Sequence, residues 1–96
     1  MKFRMTIQDA FYIAGRGMVV TGLLNGEVKM GDAVTLIDKD GKAFDAFLVT
    51  GIEYDRKLFD SMNSLDYNEP ICIGVLLRIH SEYEKSFFIG KTIVVR

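Results

Sequence analysis

Two dipeptides, Asn25-Gly26 and Asp40-Gly41, each stand between runs rich in Val, Ile, Leu and Phe, and they constrain the fold more than any other feature of the chain. Both supply residues that accept positive φ angles cheaply, so each predicts a tight primed turn between antiparallel strands. MVVTGLL (18–24) enters the first turn and EVKM leaves it, while AVTLID (33–38) and KAFDAFLVTGIEY (42–54) flank the second. Upstream, Phe3, Met5 and Ile7 alternate with polar neighbours, and Phe11 and Ile13 carry that half-buried strand past an irregularity near Asp9 and Ala10. Downstream, ICIGVLLRI (71–79) is apolar enough to predict a central strand covered on both faces, and TIVV (92–95) is the last strand. LFDSMNSLDYNEP (58–70) has no clean period and reads as a long loop, and SEYEKSFF (81–88) as a brief helical turn. Many short strands with little helix predict one all-β domain over 1–96, a sandwich or a closed barrel. Closure is the better solution, because it removes exposed strand edges.

Composition narrows the functional classes. The 96 residues are 49% apolar and 26% charged with a formal net charge of -1, a balance that excludes disorder and the overall basicity of many nucleic-acid-binding domains. The single cysteine, Cys72, can form no internal disulfide, and with one histidine it makes no recognisable zinc site, so no metal or other cofactor is expected. Cys72 reads as a small buried hydrophobe and His80 as a surface side chain without a partner. MKFRMTIQDAF carries polar groups too often for a signal peptide or a spanning segment, which predicts a cytoplasmic protein with no membrane partner.

The stretch GRGMVVTG (15–22) invites comparison with phosphate-binding loops. A dinucleotide fingerprint would use Gly15 and Gly17, but its sixth position is Val20. A Walker A loop would use Gly17 and Gly22, but Leu23 and Leu24 replace the lysine that reaches the phosphates and the hydroxyl that holds magnesium. Val19, Val20 and Thr21 are β-branched and oppose the helix that both motifs require. The glycines are better explained as a turn and a strand bend, and no direct nucleotide binding is expected.

GRGMVVTG, KMGDAV, VTGIEYDRK and GVLLR follow one another in an order and spacing that resembles the second domain of elongation factor Tu and related translational GTPases. The likeness runs from about Thr6 to Val95. It implies a closed six-stranded Greek-key antiparallel β-barrel, here as a free-standing domain, without catalytic activity. GTP hydrolysis in that family belongs to another domain. The resemblance also implies a binding surface for the aminoacylated 3′ end of tRNA. The terminal adenosine would lie against Ile13, Gly15, Val19 and Leu76, with Glu53 meeting its base or ribose. The amino-acid side would face Asp9, Phe11, Thr21 and Arg56, with Lys57 near the acceptor end. Apart from the resemblance, Arg16 between two glycines reads either as an exposed RNA-contacting side chain or as a solvated, core-covering group. An apolar slot suits a base face, and a carboxylate can accept hydrogen bonds from amine or ribose hydroxyl groups.

Three residues depart from the family pattern within this pocket: Gln8 replaces a usual glutamate, Asp55 an apolar or aromatic residue, and Cys72 an asparagine. The expected function is therefore a non-catalytic module that docks RNA or a translation-related protein. The alternative is a protein-protein interaction or assembly module that has lost RNA and uses Leu58, Phe59, Met62, Leu65 and Tyr67 of the long loop. Two plainer roles compete for particular residues. Glu53, Asp55, Arg56 and Lys57 would make a salt-bridged rim, and Asp9 with Glu53 a carboxylate pair for acid-base chemistry.

Overall fold

The computed structural model describes residues 2–95; Met1 and Arg96, the two ends of the domain expected over 1–96, lie outside the described residues. In chain order the strands are β1 (Arg4–Thr6), β2 (Asp9–Ile13), β3 (Gly17–Leu23), β4 (Glu27–Lys29), β5 (Ala33–Ile37), β6 (Ala43–Tyr54), β7 (Lys57–Phe59), β8 (Ser61–Asn63), β9 (Cys72–Arg78) and β10 (Thr92–Val95). A 3-10 turn covers Ser64–Asp66, and one short helix, α1, covers Lys85–Phe88. The fold is all-β and antiparallel, with more and shorter strands than the six expected. No described helix is long and apolar enough to cross a membrane.

The main sheet runs β1-β10-β5-β6-β9-β3-β2, with β7 added beside β6, and β4 pairs separately with β8. No ladder among the described residues joins β1 to β2, which corrects the expectation of a closed barrel. Instead, the chain itself links the two ends of the sheet through Ile7 and Gln8. The Ile7 amide donates to the Lys91 carbonyl at 2.8 Å, and the Gln8 amide to the Thr21 carbonyl at 2.8 Å. One residue therefore bonds beside β10 and the next bonds to β3. This crossing also reverses the strand's phase: Phe3, Met5 and Ile7 are buried, then Ala10 is, and Phe11 turns outward. A strand of unbroken period 2 would have buried Phe11.

The core fills the inside of the curl. Phe3, Met5, Val20, Leu36, Ile52, Val75, Leu77, Phe88 and Ile93 are each at most 1% exposed. Each such side chain contributes about 1.5–3 kcal/mol of hydrophobic stabilisation. Helix α1 is too short to persist alone and is held by Phe88, whose ring packs 5.4 Å from Phe47 and 5.6 Å from Tyr83.

The turns correct several expectations. Asp40-Gly41 does close the β5-β6 hairpin, through Asp38 N to Lys42 O and Gly41 N to Asp38 O, both 3.0 Å. Among residues 39–41, however, only Gly41 has positive φ, +83°, so the link is a three-residue loop ending in a glycine bulge rather than a primed turn. Asn25-Gly26 closes no hairpin, because β3 pairs with β2 and β9 while β4 pairs with β8. Gly26 has φ +88° and lies against the backbone of Lys2 and Phe3, where a Cβ would collide with the Lys2 carbonyl. Its glycine serves a close backbone approach between distant segments. Residues 58–70 are no long loop, since they contain β7, β8 and the 3-10 turn. Their Met62 is buried, and Phe59 and Tyr67 pack against the core, which leaves only Leu58 and Leu65 exposed from the proposed contact surface.

Candidate functional site

β9 alternates rather than being covered on both faces: Ile73, Val75 and Leu77 point into the core, while Gly74 and Leu76 are half-buried on the other side and Cys72 is exposed. The outward side belongs to a four-strand face made by β2, β3, β9 and β6. Antiparallel register places paired residues on the same side of a sheet. One row across the face reads Asp9-Thr21-Gly74-Glu53-Leu58, and the next reads Phe11-Val19-Leu76-Gly51. Most of the residues singled out from the sequence thus share one surface. They reach it from four strands.

At the centre of this surface two positions lack side chains. Gly74 stands between Val19, Glu53 and Leu76, and a Cβ there would lie 3.3 Å from Val19 Cγ1 and 3.9 Å from Glu53 Cβ. Gly51 lies beside Leu76. The result is a shallow groove with Ile13, Val19 and Leu76 on one flank, Glu53 and Leu58 on the other, and Arg16 at the end. Its enclosed volume is about 30 Å³, room for roughly one water molecule, so no preformed slot for a base exists. A planar ligand must lie across the face. Leu58, 66% exposed, is the wall best placed to shift.

Arg16 is set by the turn Ile13–Arg16, whose amide-to-carbonyl bond from Arg16 to Ile13 is 3.0 Å. The turn's third residue, Gly15, has φ +78°, as a type II turn requires. Gly15 itself is exposed, away from the groove floor, and borders a separate depression. Arg56 stands with Asp55 at the tip of the β6-β7 hairpin. Tyr54 pairs with Lys57, so the loop has two residues, and their φ angles are +53° for Asp55 and +64° for Arg56. That is the geometry of a type I′ turn built without glycine or asparagine, and it is strained. Lys57 shares its register position with Tyr54 and therefore faces the opposite side from Glu53 and Leu58.

Two plainer roles lose support. Among the described residues no ion pair within 4.0 Å joins Glu53, Asp55, Arg56 and Lys57, so the rim is not salt-bridged. Asp9 and Glu53 occupy the same row three strand spacings apart, about 14 Å between backbones, too far for a carboxylate pair. The Asp9 carboxylate accepts a bond from the Ala10 amide at 2.8 Å, and the Thr21 hydroxyl donates to the Asp9 carbonyl at 3.4 Å. Sequence reasoning missed Gly51, Gly74 and the placement of Leu58. The one available signal was a glycine inside each of two apolar strands, the mark of a site that other groups approach closely. No family model matches the chain.

Proposed function

We propose that this protein is a non-catalytic binding module, a variant of the β-barrel domain of translational GTPases, that receives the unpaired 3′ end of an RNA on the outer face of β2, β3, β9 and β6. The observation that carries this reading is the convergence of Ile13, Val19, Leu76 and Glu53 on one glycine-floored groove, although they come from four different strands. The curl of the sheet, with Gly22 of β3 lying against Met5 and Thr6 of β1, supports barrel-like kinship. The aliphatic walls can cover the face of a base, and the glycine floor lets a ring approach the backbone closely. Glu53 offers the acceptor for a base amine or ribose hydroxyl, Arg16 supplies a cation at the groove, and Arg56, exposed at the tip of the β6-β7 hairpin, offers a second for a neighbouring phosphate. A face with so few cations gives weak binding by itself, with a shallow salt dependence.

Fluorescence anisotropy with labelled tRNA and aminoacylated tRNA, at several salt concentrations, tests the proposal. Saturable binding at low salt that weakens in Arg16→Ala and Arg56→Ala is the supporting outcome. Absence of saturable binding at low salt rejects it and leaves protein-protein docking, for which Phe11, Leu58 and Leu65 are among the exposed apolar groups.

A further inference from the structure

A second recess lies at the end of β2 and β9, beside the groove, and it has two lobes of opposite charge. The first lobe, about 520 Å³, holds Arg16 and Arg78 above Gly17 and Thr50. The second, about 690 Å³, holds Glu82 and Glu84 beside Tyr83. Tyr12 and Ile79 belong to both lobes and form the ridge between them. Tyr12 is 59% exposed. Among the described residues none of the four charged groups has an ion-pair partner within 4.0 Å. The acidic lobe is not loose, because the Tyr83 hydroxyl donates to Asp45 at 2.5 Å and its ring stacks on Phe87 at 5.2 Å.

We infer that this two-lobed recess docks an extended peptide segment of a partner protein that carries an acidic side chain toward Arg16 and Arg78 and a basic one toward Glu82 and Glu84. Charge complementarity selects this occupant over nucleic acid, since a phosphate chain satisfied by the arginines would run into two carboxylates past Tyr12. Exposed tyrosine and arginine are the side chains that most often anchor such contacts. Arg78, Glu82 and Glu84 play no part in the proposed RNA groove, so loss of one activity leaves the other measurable.

The test is a ¹⁵N NMR titration of the whole chain with blocked peptides in which Asp and Lys are separated by two, four or six Gly/Pro residues, and with matched peptides in which either or both charges are Ser. We expect at least one doubly charged peptide to shift the amides around both Arg78 and Glu82 saturably, and each singly charged peptide to bind at least threefold more weakly. Arg78→Glu and Glu82→Lys, both at exposed positions, should each weaken the doubly charged peptide at least fivefold while leaving the rest of the spectrum folded. Failure of every spacing to give saturable shifts, equal binding of the uncharged peptide, or insensitivity to both substitutions overturns the inference. Saturable shifts across both lobes with a short RNA in place of the peptide would overturn it in favour of nucleic acid.

Discussion

The Tyr83 hydroxyl donates a 2.5 Å hydrogen bond to the Asp45 carboxylate and so ties the segment before α1 to β6. His80 lies 3.5 Å from the same carboxylate and stacks on Phe47, so it has a partner that the sequence did not reveal. The Tyr83 bond, then the Ala46 amide, then His80 hold the Asp45 carboxyl below its ordinary value, against the opposing effect of burial. Its folded value is depressed, so the stabilisation is present above the unfolded value of 3.8 and disappears as pH falls through the folded value. The same bond raises Tyr83, whose contribution is present below its unfolded value of 10.0 and is lost as pH rises through the folded one. Tyr83→Phe should cost about 1 kcal/mol in urea unfolding at pH 7, less than a buried bond to a charged acceptor because Asp45 is partly exposed. The difference from wild type should shrink as pH falls below the ordinary carboxyl value of 3.8 and the carboxyl protonates.

Phe88 should be the dominant contact of the short helix. It is fully buried against Phe47, Tyr83 and Phe87. Phe88→Ala should lose about 3–5 kcal/mol by urea denaturation, whereas Ser86→Ala, on the exposed side of the same turn, should change little.

The glycines divide by what surrounds them. Gly26→Ala should cost more than about 2 kcal/mol, because its backbone is left-handed and the new methyl meets the Lys2 carbonyl. Gly51→Ala puts its Cβ 3.7 Å from the Leu76 side chain, an ordinary contact, and should be neutral or stabilising by up to about 1 kcal/mol. Thermal unfolding of the two variants separates these outcomes.

The Asp55-Arg56 turn carries strain in two consecutive residues. Replacing it with Asn-Gly, the favoured type I′ pair, should stabilise the protein by about 1–2 kcal/mol. Arg56 is exposed at that tip, so the same change should weaken RNA binding although it raises the melting temperature. A stabilised variant with unaltered binding would remove Arg56 from the proposed surface.

Local patterns were legible in the sequence, and long-range approaches were not. The alternation of Phe3, Met5 and Ile7 named its core face correctly, and Asp40-Gly41 marked a real hairpin, because both depend on residues near in the chain. Asn25-Gly26 carries the same local signal, but its role is set by Lys2, Phe3 and Ser64, which the chain brings together only on folding. The β6-β7 hairpin escaped notice because its turn contains neither glycine nor asparagine. Cys72 looked buried within an apolar run, yet the period-2 alternation of β9 places it outside, opposite Leu23. For the candidate site, the resemblance suggested residues on this face, but the groove depends on Gly51 and Gly74 meeting through the β6-β9 and β3-β9 registers, with a shift between Val49 and Gly51. No local pattern encodes that shift.

The central claim is that the glycine-floored face of β2, β3, β9 and β6 binds an RNA 3′ end. The most direct measurement is amide NMR shift mapping with a short single-stranded RNA ending in an unpaired adenosine at low salt. We expect saturable shifts concentrated on Ile13, Val19, Glu53, Gly74 and Leu76, reduced at least tenfold in affinity by Gly74→Val, which fills the groove. Absence of saturable shifts on these residues, or identical binding by Gly74→Val, would contradict the claim.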